Sequence, residues 1–256
     1  MADTRRNFLK TALAGSAALS LSGCRSLSEQ PWVVNILGEV ENLTRRAQRL
    51  FAGGHALAQE FAKSDIAPVF RPNGTTNPTT EDYAAHAARN FADWRIAVGG
   101  LVERSLSLSL DELRAFPART QITRHDCVEG WSCIGEWTGA QLSLVLAAAK
   151  PKPEARYVMF YCADPMGDPR DRSSYYYESL DLLEATHPQT LLAYELNGRP
   201  LPIQNGAPVR LRAERQLGYK MAKYVQRLEL VENFNRINGG KGGYWEDQGY
   251  SWYAGI

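Results

Sequence analysis

Arg124-His125-Asp126-Cys127-Val128-Glu129-Gly130-Trp131-Ser132 is the densest run of chemically capable residues in the chain. A thiol flanked by a histidine and an arginine sits in a field that favours the thiolate, the form that ligates metals or attacks electrophiles. Cys133 follows six residues later, so the C-x2-C spacing of a zinc site is absent and a local disulfide stays open. The plain alternative is a buried, inert thiol.

The second feature lies downstream. Residues 199–227 hold seven cations (Arg199, Arg210, Arg212, Arg215, Lys220, Lys223, Arg227) against one acid, Glu214. The whole chain is near balance, with 29 basic and 28 acidic residues, so this tract reads as a concentrated anion site. Arg forks onto phosphate oxygens and Lys acts as a point charge. Gly206 and Gly218 would let backbone N–H groups approach the anion. A solvated strand face is the alternative.

At the N-terminus, Thr4-Arg5-Arg6-Asn7-Phe8-Leu9-Lys10 precedes a mild apolar run and reads as a twin-arginine export signal over residues 1–23. Leu21-Ser22-Gly23-Cys24 has the form of a lipobox, with Cys24 as an acylated new N-terminus. The expected location is the periplasm, with the twin-arginine machinery as an export partner. That route carries folded proteins, often around a cofactor. Cys127, Cys133 and Cys162 then remain in an oxidising compartment, and three cannot all pair.

With 256 residues and 44% hydrophobic content the chain can build a substantial core. Near-zero net charge argues against nucleic acid as a partner, and no apolar run reaches the roughly 20 residues that span a bilayer. Spacing predicts a helical lead-in over 43–63, broken at Gly53-Gly54, within a segment 24–69. A structured loop is expected over 70–80. A strand over 94–102 should break at Gly99-Gly100, and helices are expected over 111–116, 141–149 and 180–186. Strands are expected over 157–162, 209–211 and 225–231, with a hairpin at Asn197-Gly198. The tail, 239–256, is rich in glycine and aromatics. The class is α+β, mixed sheets with short helices, in one domain over 70–256.

Cys127-Val-Glu-Gly-Trp131, Trp137-Thr-Gly139, Asn197-Gly-Arg-Pro-Leu201, Asn205-Gly-Ala-Pro-Val-Arg210 and Gly218-Tyr-Lys220 together resemble the sulfite oxidase family of molybdopterin enzymes, in its exported bacterial branch. The resemblance implies a sulfite-oxidase-type molybdopterin-binding fold. It also implies Mo-molybdopterin, one molybdenum on one pyranopterin, with Cys127 as the protein ligand. By the same resemblance Arg124 lies beside the cofactor. Asn205 and Arg210 contact the pyranopterin and phosphate, Met221, Ala222 and Lys223 form the phosphate-binding tripeptide, and Cys162 or Asp164 gives a further contact. Phe70-Arg71-Pro72-Asn73-Gly74 is similar to the family's loop under the pterin at Phe70 and Asn73. Pro72 replaces the substrate-binding arginine of sulfite oxidases and Gly74 a histidine, which argues against sulfite. Tyr250, five residues after Trp245, resembles the tyrosine aimed at the metal; Tyr244 is the second choice.

The implied activity is oxygen-atom transfer to or from a small sulfur or nitrogen compound. The chain has no haem-attachment motif and no iron–sulfur cysteine set, so electrons require a partner, a cytochrome or membrane haem subunit. Two other readings compete: a cysteine hydrolase using Cys127, and a non-enzymatic exported binding lipoprotein.

Overall fold

The computed structural model describes residues 30–51 and 56–256. The export motif, Cys24 and the Gly53-Gly54 break lie outside the described residues. The chain divides into two compact units, residues 1–51 and 52–256. In the first, α1 (Pro31–Phe51) carries Trp32, Ile36, Val40, Leu43 and Leu50 at steps of three, four and seven, the period of one helix face. Among the described residues no helix is long and apolar enough to cross a membrane.

The helix expected over 43–63 holds as far as Phe51. Leu57 and Phe61 lie instead in extended chain, where the Phe61 N–H donates to Ile122 O at 2.9 Å and Glu60 bridges Thr123. Their helical spacing is overridden by the edge of a strand that offers unpaired backbone groups.

The second unit runs through α2 (Glu81–Ala88), β1 (Arg95–Gly100), β2 (Leu106–Ser109) and α3 (Leu110–Arg114). The hairpin β3 (Ala118–Cys127) and β4 (Trp131–Gln141) follows, then α4 (Leu142–Ala149), β5 (Tyr157–Pro165), β6 (Tyr175–Asp181) and α5 (Leu182–Ala185). β7 (Leu191–Leu196), β8 (Arg199–Pro200), β9 (Arg210–Arg212), β10 (Val225–Val231) and α6 (Tyr244–Asp247) complete it. One sheet has the order β2-β1-β10-β5-β6; the other has β3-β4-β7-β8, with β9 also beside β7. Only β1 and β10 pair in parallel among these strands. This is the α+β arrangement of mixed sheets and short helices.

Ser109 and Glu112 form a reciprocal capping box that starts α3 as β2 ends. At the β7–β8 turn both Asn197 and Gly198 have positive φ, 54° and 68°, as the Asn-Gly signal requires. The main core joins Ile96 and Val98 of β1 to Leu142 and Leu146 of α4, Phe160 of β5 and Leu228 of β10. Trp94 and Tyr83 complete it with polar tips satisfied, the indole N–H on Val225 O at 3.1 Å and the phenol on Ala207 O at 2.8 Å. A second cluster gathers Phe70, Cys133, Trp137 and Leu196 on the other sheet.

Two local expectations change. β1 does not break at Gly99-Gly100 but runs through both, and Gly100, at φ +78°, lets Leu230 O come within 2.3 Å of where a Cβ would stand. The β3–β4 hairpin had no sequence counterpart, because Gly135 and Gly139 interrupt its apolar alternation. Those glycines are required by packing: a Cβ on Gly139 would fall 2.4 Å from Leu192 O. Gly139→Ala should therefore lower stability by about 2 kcal/mol, since backbone cannot yield. Gly99→Ala, where a methyl meets open space, should change little. Urea midpoints of the two variants check the contrast.

Candidate active site

Cys127 ends β3, and the chain turns at once into β4, with Gly130 at φ +84° and its N–H donating to Cys127 O at 3.0 Å. The hairpin tip places Cys127, Val128 and Glu129 on one wall of a cleft of about 730 Å³. Facing walls come from the Asn73-Gly74-Thr75 loop, Asp164 and Met166 after β5, the turn at Gly218 to Lys223, and Trp245 and Tyr250 of the tail.

Of the predicted residues, Cys127, Asn73, Asp164, Met221, Lys223 and Tyr250 meet in this cleft. Asn205, Arg210 and Ala222 are buried beside it: Arg210 donates to Asn205 O at 3.0 Å and to Met221 O at 3.3 Å, and Ala222 O accepts from Leu211 N–H at 2.7 Å. Cys162 does not line it. That thiol lines a separate pocket with Tyr175 and Tyr177, and burial pushes its pKa well up, so of the Cys162–Asp164 pair it is Asp164 that the structure brings to Cys127. Arg124 is also set apart. Alternation along β3 turns it to the opposite face from Cys127, where it is exposed and pairs with Asp126 at 2.9 Å.

The surroundings of Cys127 differ from the expected thiolate-favouring field. Burial is the main influence and raises its pKa, while Arg71 pulls it down. Cys127, Cys133 and Cys162 are all free thiols, so the local disulfide is not formed. His125 is fully buried and held neutral by burial and by Arg212, Arg210 and Lys223. Its Nδ1 faces Arg212 at 3.0 Å and Met221 Sδ at 3.3 Å, not the thiol, so the thiol–imidazole pair of a cysteine hydrolase is not built on that nitrogen.

Most of the basic tract is neutralised internally. Arg212 pairs with Glu214 at 2.6 Å, Arg215 with Glu184 at 2.6 Å, and Lys220 bridges Glu178 and Glu246 at 2.5 Å each. Lys223 and Arg210 are left to the cleft. Lys223 Nζ donates to the carbonyls of Asn73 (2.6 Å), Thr75 and Gln204 (3.1 Å). Burial and Arg210 lower Lys223 to about 7, against Asp164 and Cys162. Burial raises Asp164 to about 7, against Lys223 and a hydrogen bond from Thr75.

Glu129 is a cleft residue that carried no predicted role. Glu129 lies two residues after Cys127 and accepts from the Trp131 indole at 2.9 Å. Arg71, outside that lining, is exposed and holds its guanidinium 4.8 Å from the Trp131 ring centre.

The cleft is suited to a polyfunctional, anionic cofactor. Asn73 Oδ1, Asp164 Oδ1, Asn205 Nδ2 and Arg210 Nε are buried without partners in the protein, a mixed set of acceptors and donors. A pterin ring presents the complementary mixture, a phosphate would meet Lys223 and Arg210, and Cys127 provides one soft ligand for a metal. Among the described residues no group of three His, Cys, Asp or Glu converges on a metal site. In the cofactor-free chain Asp164 binds its proton more tightly when folded (about 7) than a free aspartate does (3.8). Its contribution is fully present below about pH 4 and is lost as pH rises to about 7. Asp164→Asn should remove that loss, seen as a flatter dependence of Tm on pH over this window.

Residues 83–236 match the family described as oxidoreductase molybdopterin binding domain. The chain is 35% identical over 98% of its length to a putative protein-methionine-sulfoxide reductase subunit, YedZ1, of Azospira oryzae, covering 87% of that protein. It is also 35% identical over 90% of its length to the protein-methionine-sulfoxide reductase catalytic subunit MsrP of Xanthomonas axonopodis pv. citri, covering 70% of it. Among solved structures it resembles the sulfane dehydrogenase SoxCD of Paracoccus pantotrophus, with a TM-score of 0.50 and 25% identity over 56% of this chain and 39% of that one. With the family matched across its sheets and the cleft residues suited to the group, the chain belongs to the molybdopterin-binding oxidoreductases of sulfite oxidase type, and its cofactor is Mo-molybdopterin.

Proposed function

We propose that this oxidoreductase transfers an oxygen atom between water and a small sulfur compound, in the direction that reduces a sulfoxide to a thioether. Two electrons and two protons enter, the S–O bond breaks, and the oxygen leaves as water. The observation that carries this reading is the single thiol, Cys127, at a rigid hairpin tip in a cleft lined by unpaired polar groups. The printed names of the sulfoxide reductases among its relatives supply the direction. The replacement of the loop arginine by Pro72 supports a neutral sulfoxide over the sulfite dianion.

When bound, the cofactor supplies a two-electron metal couple and an exchangeable oxygen. Cys127 would hold the metal through Sγ. Lys223 and Arg210 would take the phosphate end, and Asn73 and Asn205 would offer an acceptor and a donor to the pterin. Asp164, titrating near neutrality, can hold a proton in the cleft, and Tyr250 can donate one from the opposite wall. Trp245 stacks on Tyr250 at 5.3 Å and orients it.

The proposal extends to setting: residues 70–256 as the catalytic domain, export to the periplasm by the twin-arginine route, an acyl anchor on Cys24, and a cytochrome or membrane haem subunit as electron donor. A donor is called for because the sequence carries no haem-attachment motif and no iron–sulfur cysteine set.

Protein exported through its own signal should contain about one molybdenum per chain, as the one soft ligand implies, and should reduce methionine sulfoxide with a reduced dye. Cys127→Ser should lose most of that metal and the activity while keeping its fold; full activity in this variant overturns the assignment. Without dye or partner, turnover should stop, and sustained turnover of the isolated protein would remove the need for an electron donor.

A further inference from the structure

His125 lies two residues before Cys127 on the same face of β3 and is fully buried. Its Nδ1 is 3.0 Å from Arg212 Nη1. A guanidinium has only donors and keeps its charge, so Nδ1 must accept and the ring proton resides on Nε2. The arrangement is held from every side. Arg212 forks onto Glu214 at 2.9 and 2.6 Å, Glu214 takes a further bond from Gln121 at 2.9 Å, and the guanidinium lies 4.3 Å from the Trp137 ring centre. Phe70 meets the imidazole edge-on and Trp131 lies against it at 5.6 Å.

Nε2–H is thereby committed as a donor, yet it is buried without an acceptor in the protein. It lies directly behind the cleft lining, against Gly218. A Cβ on Gly218, a cleft-lining residue, would fall 2.4 Å from Nε2, so the imidazole edge occupies the space that a side chain at 218 would take. Proteins rarely keep a buried donor unpaired unless something else completes it. Cys127 and Met221, which flank His125 in sequence and in contact, both line the same cleft.

We propose that His125 donates a hydrogen bond from Nε2 to an acceptor atom of the bound molybdopterin near Cys127, with the Arg212–Glu214 pair as the positioning device that fixes its tautomer. The inference rests on the molybdopterin reading above and adds a contact to it. Donation to an electron-rich acceptor stabilises the reduced cofactor more than the oxidised one, so His125 raises the potential of the centre.

Holoenzymes of wild type, His125→Phe and His125→Gln test this by molybdenum and pterin content on dialysis and by potentiometric titration. His125→Phe keeps an aromatic ring of somewhat larger size without the donor. It should lose molybdenum roughly tenfold faster, the usual scale for a lost supporting bond, and titrate at a more negative potential. His125→Gln, which restores an N–H, should recover most of both. Unchanged retention and potential in His125→Phe overturns the proposal while the molybdopterin assignment stands. A wild type devoid of molybdenum overturns the assignment itself. If His125→Phe fails to fold, nitrogen-15 NMR of labelled histidine in the wild-type holoenzyme decides: a proton on Nε2 shifted by hydrogen bonding supports the proposal, and a proton on Nδ1 sinks it.

Discussion

Arg212 and Glu214 are both fully buried, joined by two parallel hydrogen bonds, and much of the second unit is arranged around that pair. Removing one partner of such a pair typically costs 3–5 kcal/mol, about half the stability of an ordinary domain. The guanidinium spreads over one side of Trp137, and Arg210 places a second guanidinium 5.0 Å from the same ring centre. Phe70 meets Trp137 edge-on at 4.9 Å, which anchors the loop that carries Asn73 into the cleft. One indole in the middle of β4 thus links the hairpin bearing Cys127 to the cationic strand β9 and to the loop beneath the cofactor site.

The same economy of charge explains which cations remain for a ligand. Lys220 is locked between Glu178 of β6 and Glu246 of α6, and its place there fastens the C-terminal tail to the sheet. Arg215 is held by Glu184 of α5. Lys223 and Arg210 form no salt bridge among the described residues and instead rest on backbone carbonyls. A cation buried on carbonyls alone is incompletely compensated, and an arriving phosphate would complete it. The cleft is therefore preorganised by what its neighbours have already paired away.

Precision at Cys127 comes from rigid elements. The thiol projects from the last residue of a ten-residue strand in full register with β4, not from a free loop. The tail adds Trp245 and Tyr250 from the far side, tied down through Glu246 and through the Tyr219–Tyr250 edge contact at 5.2 Å. A site closed by segments so distant in sequence can hold an extended cofactor along several walls at once.

The local sequence was sufficient where chemistry is local. The Asn-Gly turn between β7 and β8, the strand at 225–231 and the helix at 142–149 were all legible, because turn geometry and apolar runs act over a few positions. Ordered motifs from Asn73 to Tyr250 pointed to the family and its cofactor. Tertiary structure alone decided the rest. It showed that Arg124 faces away from Cys127, since strand alternation is invisible until the β3–β4 hairpin is known. It placed Asp164, and not Cys162, in the cleft lining and brought Glu129 there as well. It also took Arg215 and Lys220 of the cationic tract out of play, because the carboxylates that neutralise them arrive from positions 178, 184 and 246. Charge pairing and burial act through space, and for these two cations no local window of sequence contains both partners.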